Sequence, residues 1–537
     1  MIEFSMVLIF YILVAAALVT NLLAEFARDL MMLQQNSYRN ERYLRWLRTS
    51  GDSTSYPRLI GLCVAFLSMV SFVGQLPIMI LMGIFGFVNA SFLLRKKYKK
   101  PLVWTRRVRR IFTAMILLAL IVCALVFCIS RKFGSIDYAA FNCLIAILFS
   151  YCASHIFAML AIIILSPVEK AINRKFYNEA AAKLRSIPGL TVIGVTGSYG
   201  KTSTKHYLER ILSEKFDVLM TPGSFNTTLG VIRTIREMMK PYTEVFICEM
   251  GAKQPNDIKE ICDLVHPQIG VITAVGPQHL ESFKTIENVQ RTKFELADAL
   301  PADGLLVVNN DFPFIANREV TNTTCVRYGV ATGGSAVDFR AENITYSPTG
   351  TTFTIKGGER EIQFHTRLVG ECNVSNLLAA VIVALYLEVP EDKIRYAVEK
   401  IEQVEHRLTI KRTPGGITII DDAYNSNPTG SAMALDVLAA MTQGTRFIIT
   451  PGMIELGPEQ FALNKAFGEK IARSVDVAII VGNYNHQAIT EGIEQAGVSN
   501  VKVISAATFN EAQQTMTSMA RPGDTVLYEN DLPDTFK

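Results

Sequence analysis

Long apolar runs separated by short polar segments dominate the first 166 residues, and this pattern predicts membrane-spanning helices. A helix needs about 20 apolar residues to cross a bilayer. The first run of this length covers residues 4–25. Further apolar runs cover residues 59–75, 77–94, 111–130 and 138–166. We therefore predict that residues 1–166 form a membrane domain with about five transmembrane helices.

Two basic segments set the predicted orientation of these helices. Residues 95–110 contain nine basic residues and no acidic one, and residues 26–58 contain six arginines. Lys and Arg concentrate in cytoplasmic loops, so both segments are expected in the cytoplasm. About five spans then place the N-terminus outside and everything after residue 166 inside. Alternatively, residues 95–110 bind anionic lipid head groups, which recognise the same kind of basic cluster.

Ionisable side chains are scarce inside the predicted spans, where His155 is the exception. A transport path through a membrane protein usually needs buried charges. The pattern therefore favours a membrane anchor over a transporter.

The composition agrees with a protein that lies partly in lipid. Of 537 residues, 50% are hydrophobic and only 19% are charged, which is unusual for a soluble enzyme and excludes an extended disordered chain. The net charge of +4 is too small to indicate a nucleic-acid partner. The nine cysteines show no CxxC spacing, which argues against a zinc ribbon or a disulfide framework and fits a reducing compartment.

After residue 166 the pattern changes to that of a soluble α/β protein. Residues 167–189 predict a connector helix that ends at Pro188-Gly189. A β-rich run over residues 191–197 ends in glycine, and residues 201–212 have helical spacing. Strand, glycine turn and helix in this order are typical of a phosphate-binding loop.

The glycine turn reads Gly197-Ser198-Tyr199-Gly200-Lys201-Thr202. It departs from the strict GxxxxGK(S/T) pattern because Val195 stands where the first glycine would be. Its backbone N–H groups and the following helix N-terminus suit phosphate, Lys201 suits the terminal phosphates, and the Thr202 hydroxyl suits Mg²⁺. The alternative is a glycine turn with a chance Lys-Thr pair.

A carboxylate, a histidine and a lysine follow the next predicted strands. The strand over residues 245–252 places Glu249 near its carboxyl end, where ligand sites of α/β proteins gather. A second strand-like run is followed by His279, and Lys293 comes fourteen residues later. Each residue also has an ordinary structural interpretation. Glu249 suits a capping or surface acid, His279 a hydrogen-bonded histidine at the end of a strand, and Lys293 a solvated lysine on a helix.

A series of motifs in this part of the chain resembles the Mur ligases, the enzymes that build the peptide stem of bacterial peptidoglycan. The motifs are TGSYGKT, SFNTTLG, EMGA, HLESF, RTKFE, GECNVSNLLAA, VEHRL, DDAYNSNP and PGMIELG. They cover about residues 190–515 and are most similar to the family members that add D-alanyl-D-alanine. The resemblance implies a P-loop-type central ATP-binding domain over residues 190–405 and a Rossmann-like C-terminal domain over residues 406–537.

The resemblance also implies ATP-dependent ligation. In the family a substrate carboxylate attacks the γ-phosphate of ATP, and an amine then displaces phosphate from the acyl phosphate to form an amide. Two Mg²⁺ ions are implied, one at Thr202 and Glu249 and the other near His279 and a carbamylated lysine at position Lys293. The implied catalytic residues are Lys201, His279, Lys293 and Arg407.

The nucleotide is expected to contact residues from three parts of the chain. These are the turn residues Gly197, Ser198, Tyr199, Gly200, Lys201, Thr202 and Ser203, the adenine-binding pair Asn373 and Asn376, and Arg407, Asp422, Tyr424 and Asn425 beside the phosphates and ribose. The alternatives are a helix cap for Asn373, an interdomain salt bridge for Arg407 and a turn of Asx caps for DDAYNSNP.

Two features of the chain depart from the family pattern. The predicted membrane helices stand where the D-alanyl-D-alanine-adding ligases have a domain for the uridine nucleotide, and the C-terminus lacks their Lys-Gly-Ser sequence. Residues 301–368 are predicted to form a strand-rich excursion inside the central domain.

We therefore expect a multi-pass protein of the bacterial cytoplasmic membrane, with cytoplasmic catalytic domains, that adds D-Ala-D-Ala to a UDP-MurNAc-tripeptide-like acceptor. Its expected partners are ATP, a muropeptide acceptor, an amino acid or dipeptide amine and membrane lipid, and no nucleic acid; the oligomeric state stays open. One alternative is a Mur-type ligase with another acceptor, such as a poly-γ-glutamate synthase or an enzyme that amidates a lipid-linked precursor. The other is a non-catalytic ATP-binding membrane regulator.

Overall fold

The computed structural model describes most of the chain in two compact units. The described residues are 2–69, 75–98, 100–330, 336–347, 350–424, 426–498 and 500–531, with side chains from residue 8 onward. The first unit covers residues 1–173 and the second covers residues 174–531.

The first unit is built from helices. They are α1 (Ile2–Gln35), α2 (Asn40–Ser50), α3 (Tyr56–Met69), α4 (Gln75–Arg95), α5 (Arg106–Phe133), α6 (Ile136–Cys152) and α7 (Ser154–Arg185), which runs on into the second unit. Within the described residues, four helices are long and apolar enough to cross a membrane: α1, α4, α5 and α7. The shorter helices α3 and α6 are also apolar.

Two sequence boundaries differ from the observed helices. The apolar run 138–166 is not one helix, because the backbone at Ala153 leaves helical geometry between α6 and α7. The connector 167–189 is not a separate helix either, because α7 continues through Pro167 and ends at Arg185. The predicted end before Pro188-Gly189 agrees with this bound.

A cluster of buried charges lies inside the first unit. Arg58 of α3 is buried with its guanidinium 2.7 Å from Glu25 Oε1 and 3.3 Å from Asp29 Oδ1. The Tyr43 hydroxyl donates to Asp29 at 2.8 Å. Asp29 and Arg58 lie outside the predicted apolar runs, and Glu25 is the last residue of the first run, so this cluster lies at the ends of the runs.

A mostly parallel sheet forms the first half of the second unit. Its strands are β1 (Thr191–Thr196), β2 (Val218–Met220), β3 (Val245–Glu249), β4 (Ile269–Ile272), β5 (Leu305–Asn309), β6 (Thr324–Gly329), β7 (Phe339–Ser347), β8 (Gly350–Gly357) and β9 (Arg360–Thr366), in the order 2-3-1-4-5-6-7-8-9. The last two pairings, β7 with β8 and β8 with β9, are antiparallel. Strands β5 to β9 therefore confirm the strand-rich excursion and make it part of the same sheet.

Helices cover both faces of this sheet. They are α8 (Lys201–Leu212), α9 (Thr228–Glu237), α10 (Asp257–Val265), α11 (Leu280–Phe283), α12 (Ile286–Asp298), α13 (Pro313–Ala316), α14 (Glu371–Tyr386) and α15 (Glu391–Lys400). Along β1, Ile193 packs into one apolar core and Val192 into the other, as expected for a parallel sheet buried on both sides. β3 lies beside β1 with Glu249 opposite Val195. This register puts Glu249 next to the start of the glycine turn.

A second sheet forms the other half of this unit. Its strands are β10 (Thr409–Arg412), β11 (Thr418–Asp422), β12 (Arg446–Thr450), β13 (Val477–Val481), β14 (Lys502–Ala506) and β15 (Thr525–Glu529), in the order 10-11-15-12-13-14. Its helices are α16 (Pro428–Ala439), α17 (Gln460–Ser474), α18 (His486–Gln495) and α19 (Phe509–Met519). All pairings except β10 with β11 are parallel. The predicted fold class, an α-helical region followed by two α/β domains, is confirmed.

Candidate active site

The glycine turn joins β1 to α8 as the sequence predicts. Gly200 has φ 76° and precedes the first residue of α8. A Cβ there would clash with the Asn376 amide, so this position needs glycine for conformation and for space. Lys201 Nζ folds back over the turn and donates to the Gly197 carbonyl at 2.6 Å. Burial lowers the pKa of Lys201 to about 8, and an anionic phosphate beside it would raise the pKa again.

Glu249 accepts hydrogen bonds from both sides at the carboxyl end of β3. Thr202 Oγ1 donates to Glu249 Oε1 at 3.2 Å, and Asn226 Nδ2 donates to the same oxygen at 3.0 Å. Lys205 Nζ lies 3.0 Å from Glu249 Oε2. Burial acts to raise the pKa of Glu249, but Lys205 and Lys201 outweigh it and hold the pKa below its usual value. The carboxylate is therefore ionised.

Lys205 and Asn226 were missed by the sequence reasoning. Lys205 lies one turn after Lys201 on α8 and is fully buried. The spacing of four residues would have indicated a shared helix face. The partner of Asn226 is separated from it by 23 residues, and no local pattern indicates that contact.

Lys293 lies on the buried face of α12 and is only 2% exposed. The alternative of a solvated helix lysine is therefore wrong. Burial, followed by repulsion from Lys201, lowers the pKa of Lys293 well below its usual value. A neutral amine is the form that reacts with carbon dioxide, so the site permits a carbamate at Lys293.

His279 lies between β4 and α11 and contacts Glu455 from the second sheet. The contact joins His279 Nδ1 to Glu455 Oε2. Burial lowers the pKa of His279, and the adjacent Glu455 carboxylate offsets only part of this lowering. The lowered pKa favours the neutral imidazole, in which Nδ1 contacts Glu455. Nε2 is the ring nitrogen that does not take part in this contact.

A cavity of about 200 Å³ connects the turn with both sheets. Of the predicted residues, it is lined by Ser198, Tyr199, Gly200, Lys201, Thr202, Ser203, Asn373, Asn376, Arg407 and Asp422. A second cavity of about 730 Å³ is lined by Thr202, His206, Arg407 and Tyr424, among others. Thr202 and Arg407 border both cavities, so the two spaces meet at the turn.

Asn373 and Asn376 have protein partners in the first turn of α14. Asn373 Oδ1 accepts from the Tyr207 hydroxyl at 2.7 Å, and its Nδ2 donates to the Val369 carbonyl at 2.9 Å. Asn376 Oδ1 accepts from Thr204 Oγ1 at 3.2 Å. Both side chains fix α14 against α8, and their reading of adenine stays a prediction.

The predicted residues of the second sheet lie around Arg407. Its guanidinium carbon is 4.3 Å from the centre of the Tyr424 ring, a cation–π distance. Burial raises the pKa of Asp422 to about 6, and Arg407 offsets part of this rise. Asn425 lies outside the described residues.

Glu529 is a further buried acid that the sequence reasoning missed. It ends β15 opposite Asp422 on β11. Ser426 and Ser431 each donate to Glu529 Oε1 at 2.8 Å. Burial, followed by repulsion from Asp422, raises the pKa of Glu529 well above its usual value. Burial therefore favours the protonated form of Glu529, and its contacts with Ser426 and Ser431 hold the start of α16 beside the cavity.

The donor set suits a hard divalent cation. Thr202 supplies a hydroxyl oxygen and Glu249 an ionised carboxylate beside it, and these are the ligands that Mg²⁺ prefers. Glu249 Oε2 is buried and lies 3.0 Å from the Lys205 ammonium, and Lys201 also stabilises the carboxylate charge. The residues present therefore fit a metal at this end of the turn.

Comparison with known proteins finds two families along the second unit. Residues 195–384 match the model of the Mur ligase middle domain, and residues 406–528 match that of the Mur ligase, glutamate ligase domain.

Two curated relatives have the name UDP-N-acetylmuramoyl-tripeptide–D-alanyl-D-alanine ligase. The one from Bacillus subtilis (strain 168) is 31% identical over 285 residues, which are 53% of this chain and 61% of the relative. The one from Mycobacterium tuberculosis (strain H37Rv) is 30% identical over 364 residues, which are 63% of this chain and 70% of the relative. The chain thus spans less than two thirds of the first relative's length.

Solved structures of MurF are also similar. One from Acinetobacter baumannii superposes with a TM-score of 0.60 at 25% identity, covering 68% of this chain and 78% of that one. The MurF ligase from Thermotoga maritima in complex with ADP gives a TM-score of 0.59 at 24% identity, covering 67% and 80%. At that identity the second likeness concerns the fold alone.

Proposed function

The chain belongs to the Mur ligase family, and from this membership we propose that it is an ATP-dependent ligase that adds D-alanyl-D-alanine to a UDP-MurNAc-tripeptide-like acceptor. The observation that carries the proposal is the grouping of Lys201, Thr202 and Arg407 around one cavity, with the ionised Glu249 bonded to Thr202. The names of the curated relatives supply the substrates.

The proposed reaction has two steps. The acceptor carboxylate forms a bond to the γ-phosphorus of ATP, and ADP leaves. The amine then bonds to the acyl carbon, phosphate leaves with the electron pair of the broken C–O bond, and the amine releases a proton. Lys201 and Arg407 act on the negative charge that spreads over the phosphoryl oxygens.

Four residues would hold Mg²⁺ in this proposal. Thr202 and Glu249 take one ion, and His279 with a carbamylated Lys293 takes the other. Bound Mg²⁺ neutralises phosphate charge and orients the transferred group. An unmodified ammonium at Lys293 would repel a metal ion, whereas a carbamate supplies an anionic oxygen.

The nucleotide would lie in the smaller cavity. Asn373 and Asn376 would contact adenine, and Asp422 the ribose hydroxyls. The backbone N–H groups of the glycine turn would bind the phosphates. Tyr424 and Asn425 would border the acceptor.

We also propose that the helical first unit anchors the ligase in the bacterial cytoplasmic membrane. The four long apolar helices support this placement. The substrates of the reaction are cytoplasmic, so the second unit would face the cytoplasm.

The test is a ligation assay with the full chain in detergent. ATP and D-alanyl-D-alanine are supplied together with UDP-linked or lipid-linked muropeptides, and products are detected by mass. We expect the dipeptide to be joined to the UDP-linked tripeptide with release of ADP, and Lys201→Ala to abolish both. If product forms only with the lipid-linked muropeptide, the proposed UDP-linked acceptor is wrong and the lipid-linked one takes its place. If no acceptor gives a ligated product, the proposal that the protein is a ligase is wrong.

A further inference from the structure

A carboxylate of the second sheet reaches the histidine of the first. Glu455 lies in the segment 451–456 that follows β12, and its Oε2 contacts His279 Nδ1. The backbone makes a second contact, because the Glu281 N–H donates to the Glu455 carbonyl at 3.2 Å. His279 and Glu455 are separated by 176 residues in the chain. The two halves of the second unit therefore meet at the proposed metal ligand.

Both residues of the contact have an unusual backbone conformation. Glu455 has φ 62° and His279 has φ 53°, in the left-handed region that residues other than glycine rarely occupy. Such conformations persist where the surrounding structure enforces them, and they cluster at functional sites. The strain thus falls on the two residues that touch.

Amide side chains hold the Glu455 segment in place. The Met453 N–H donates to Asn464 Oδ1 at 2.9 Å, and Asn485 Nδ2 donates to the Pro451 carbonyl at 2.9 Å. The Leu456 N–H donates to Gln460 Oε1 at 3.1 Å. The segment is therefore supported by α17 and by the residue that precedes α18.

A glycine just after the segment lets the chain lie close to the backbone of α11. Gly457 has φ 60°, and a Cβ there would lie 3.1 Å from the Glu281 backbone nitrogen. A side chain at this position would strain φ and would require the neighbouring backbone to shift by a few tenths of an ångström. The geometry thus brings Glu455 to His279 on a fixed and closely packed support.

We propose that Glu455 is a positioning residue that fixes His279 for metal binding. It accepts the Nδ1 proton, which sets the tautomer and leaves the Nε2 lone pair free for a cation. Carboxylate partners of this kind orient metal-binding histidines and typically change metal affinity by about 10- to 100-fold. The inference rests on the proposed function, because it takes His279 as a ligand.

The test measures Mn²⁺ in place of Mg²⁺, with the full chain in detergent and the methylene analogue of ATP. Paramagnetic resonance counts bound ions, and electron spin echo detects coupling to an imidazole nitrogen. We expect two bound ions and a nitrogen signal in the wild type. Glu455→Ala should lower the affinity for one of the two Mn²⁺ ions by about 10- to 100-fold and diminish the nitrogen signal. Glu455→Gln can still accept the Nδ1 proton, so its affinity for that ion should fall less.

The control is Glu459→Gln, which removes an exposed carboxylate four residues after Glu455, just before α17. It should leave both ions and the nitrogen signal unchanged. Melting curves of each variant separate loss of the fold from loss of the ion. Wild-type binding by folded Glu455→Ala would overturn the inference and leave the ligase proposal intact. Absence of nucleotide-dependent Mn²⁺ in the wild type would contradict both.

Discussion

At the scale of single residues, the charged side chains buried around Glu249 contribute to the stability of the fold and to the phosphate site. Lys205 is fully buried, 3.0 Å from Glu249 Oε2, and its ammonium also donates to the Gly223 carbonyl at 2.6 Å. A carboxylate left without such a partner keeps its desolvation cost and loses its compensation. The pair should therefore matter for stability as well as for the phosphate site.

We predict that Lys205→Met lowers the free energy of unfolding by about 3–5 kcal/mol, the usual cost of breaking a buried ion pair. Lys259→Met is the control, because its pair with Asp263 is on the surface and should change stability little. Denaturant unfolding of both variants in detergent makes the comparison. Equal midpoints would show that Lys205 does not compensate Glu249.

Glu529 gives a prediction about pH. A raised pKa in the folded state means that folding binds the proton more tightly, so this stabilisation is complete below the unfolded pKa of about 4.3. It is lost as pH rises toward the folded pKa. The melting temperature of the wild type should therefore fall relative to that of Glu529→Gln as pH rises above the unfolded pKa. Parallel curves would contradict the raised pKa.

Lys293 gives a prediction about covalent modification. Lys293→Ala should be inactive, because it removes the proposed carbamate oxygens, and short-chain carboxylic acids should restore part of the activity. Initial rates with and without added acid make the measurement. Full activity of the unsupplemented variant would rule out a carbamate.

At the scale of elements, the strand–turn–helix around Lys201 was predictable because its signals are local. Glycines, a β-rich run and a helical period all lie within about 20 residues, the length of one such unit. The neighbours of Glu249 were only partly predictable, since the register of β3 beside β1 follows from the whole sheet. Glu455 could not be found this way, because its contact joins loops of two different sheets.

The buried charges of the first unit were not predictable from the sequence for a related reason. Apolar runs predicted helices in the first unit, but the charged end of α1 was not expected to be buried, because the compensating Arg58 belongs to α3. Hydropathy counts charges along the chain and cannot register the partner that makes burial acceptable.

The glycine turn gives a prediction at this scale. Gly200→Ala should abolish nucleotide binding, because a Cβ would strain φ and meet Asn376. Gly189→Ala is the matched control: its φ of 72° is similarly strained, but nothing lies within 4 Å of the added atom. Fluorescent nucleotide titrations compare the two, and equal binding would place the nucleotide elsewhere.

At the scale of the whole molecule, orientation in the membrane decides whether ATP reaches the site. The basic segments 26–58 and 95–110 should lie on one side, which requires an even number of crossings between them. Of the described helices between them, α4 is long enough to cross, so this orientation needs a second crossing that includes the shorter apolar helix α3. Crossings by α1, α4, α5 and α7 alone would place the two segments on opposite sides.

Cysteine labelling tests this orientation. A cysteine near Ser135 should react with an impermeant thiol reagent in intact cells, and one near Lys97 only after lysis. Labelling near Lys97 in intact cells would invert the predicted orientation and place the ATP site outside the cell.

The most direct test of the central claim follows one oxygen atom. Acceptor tripeptide labelled with ¹⁸O in its reacting carboxylate is incubated with the protein, ATP and D-alanyl-D-alanine, and the released phosphate is analysed by mass. If the carboxylate attacks the γ-phosphate, each phosphate released with product contains one acceptor oxygen. Product formation with unlabelled phosphate would contradict the acyl-phosphate ligase.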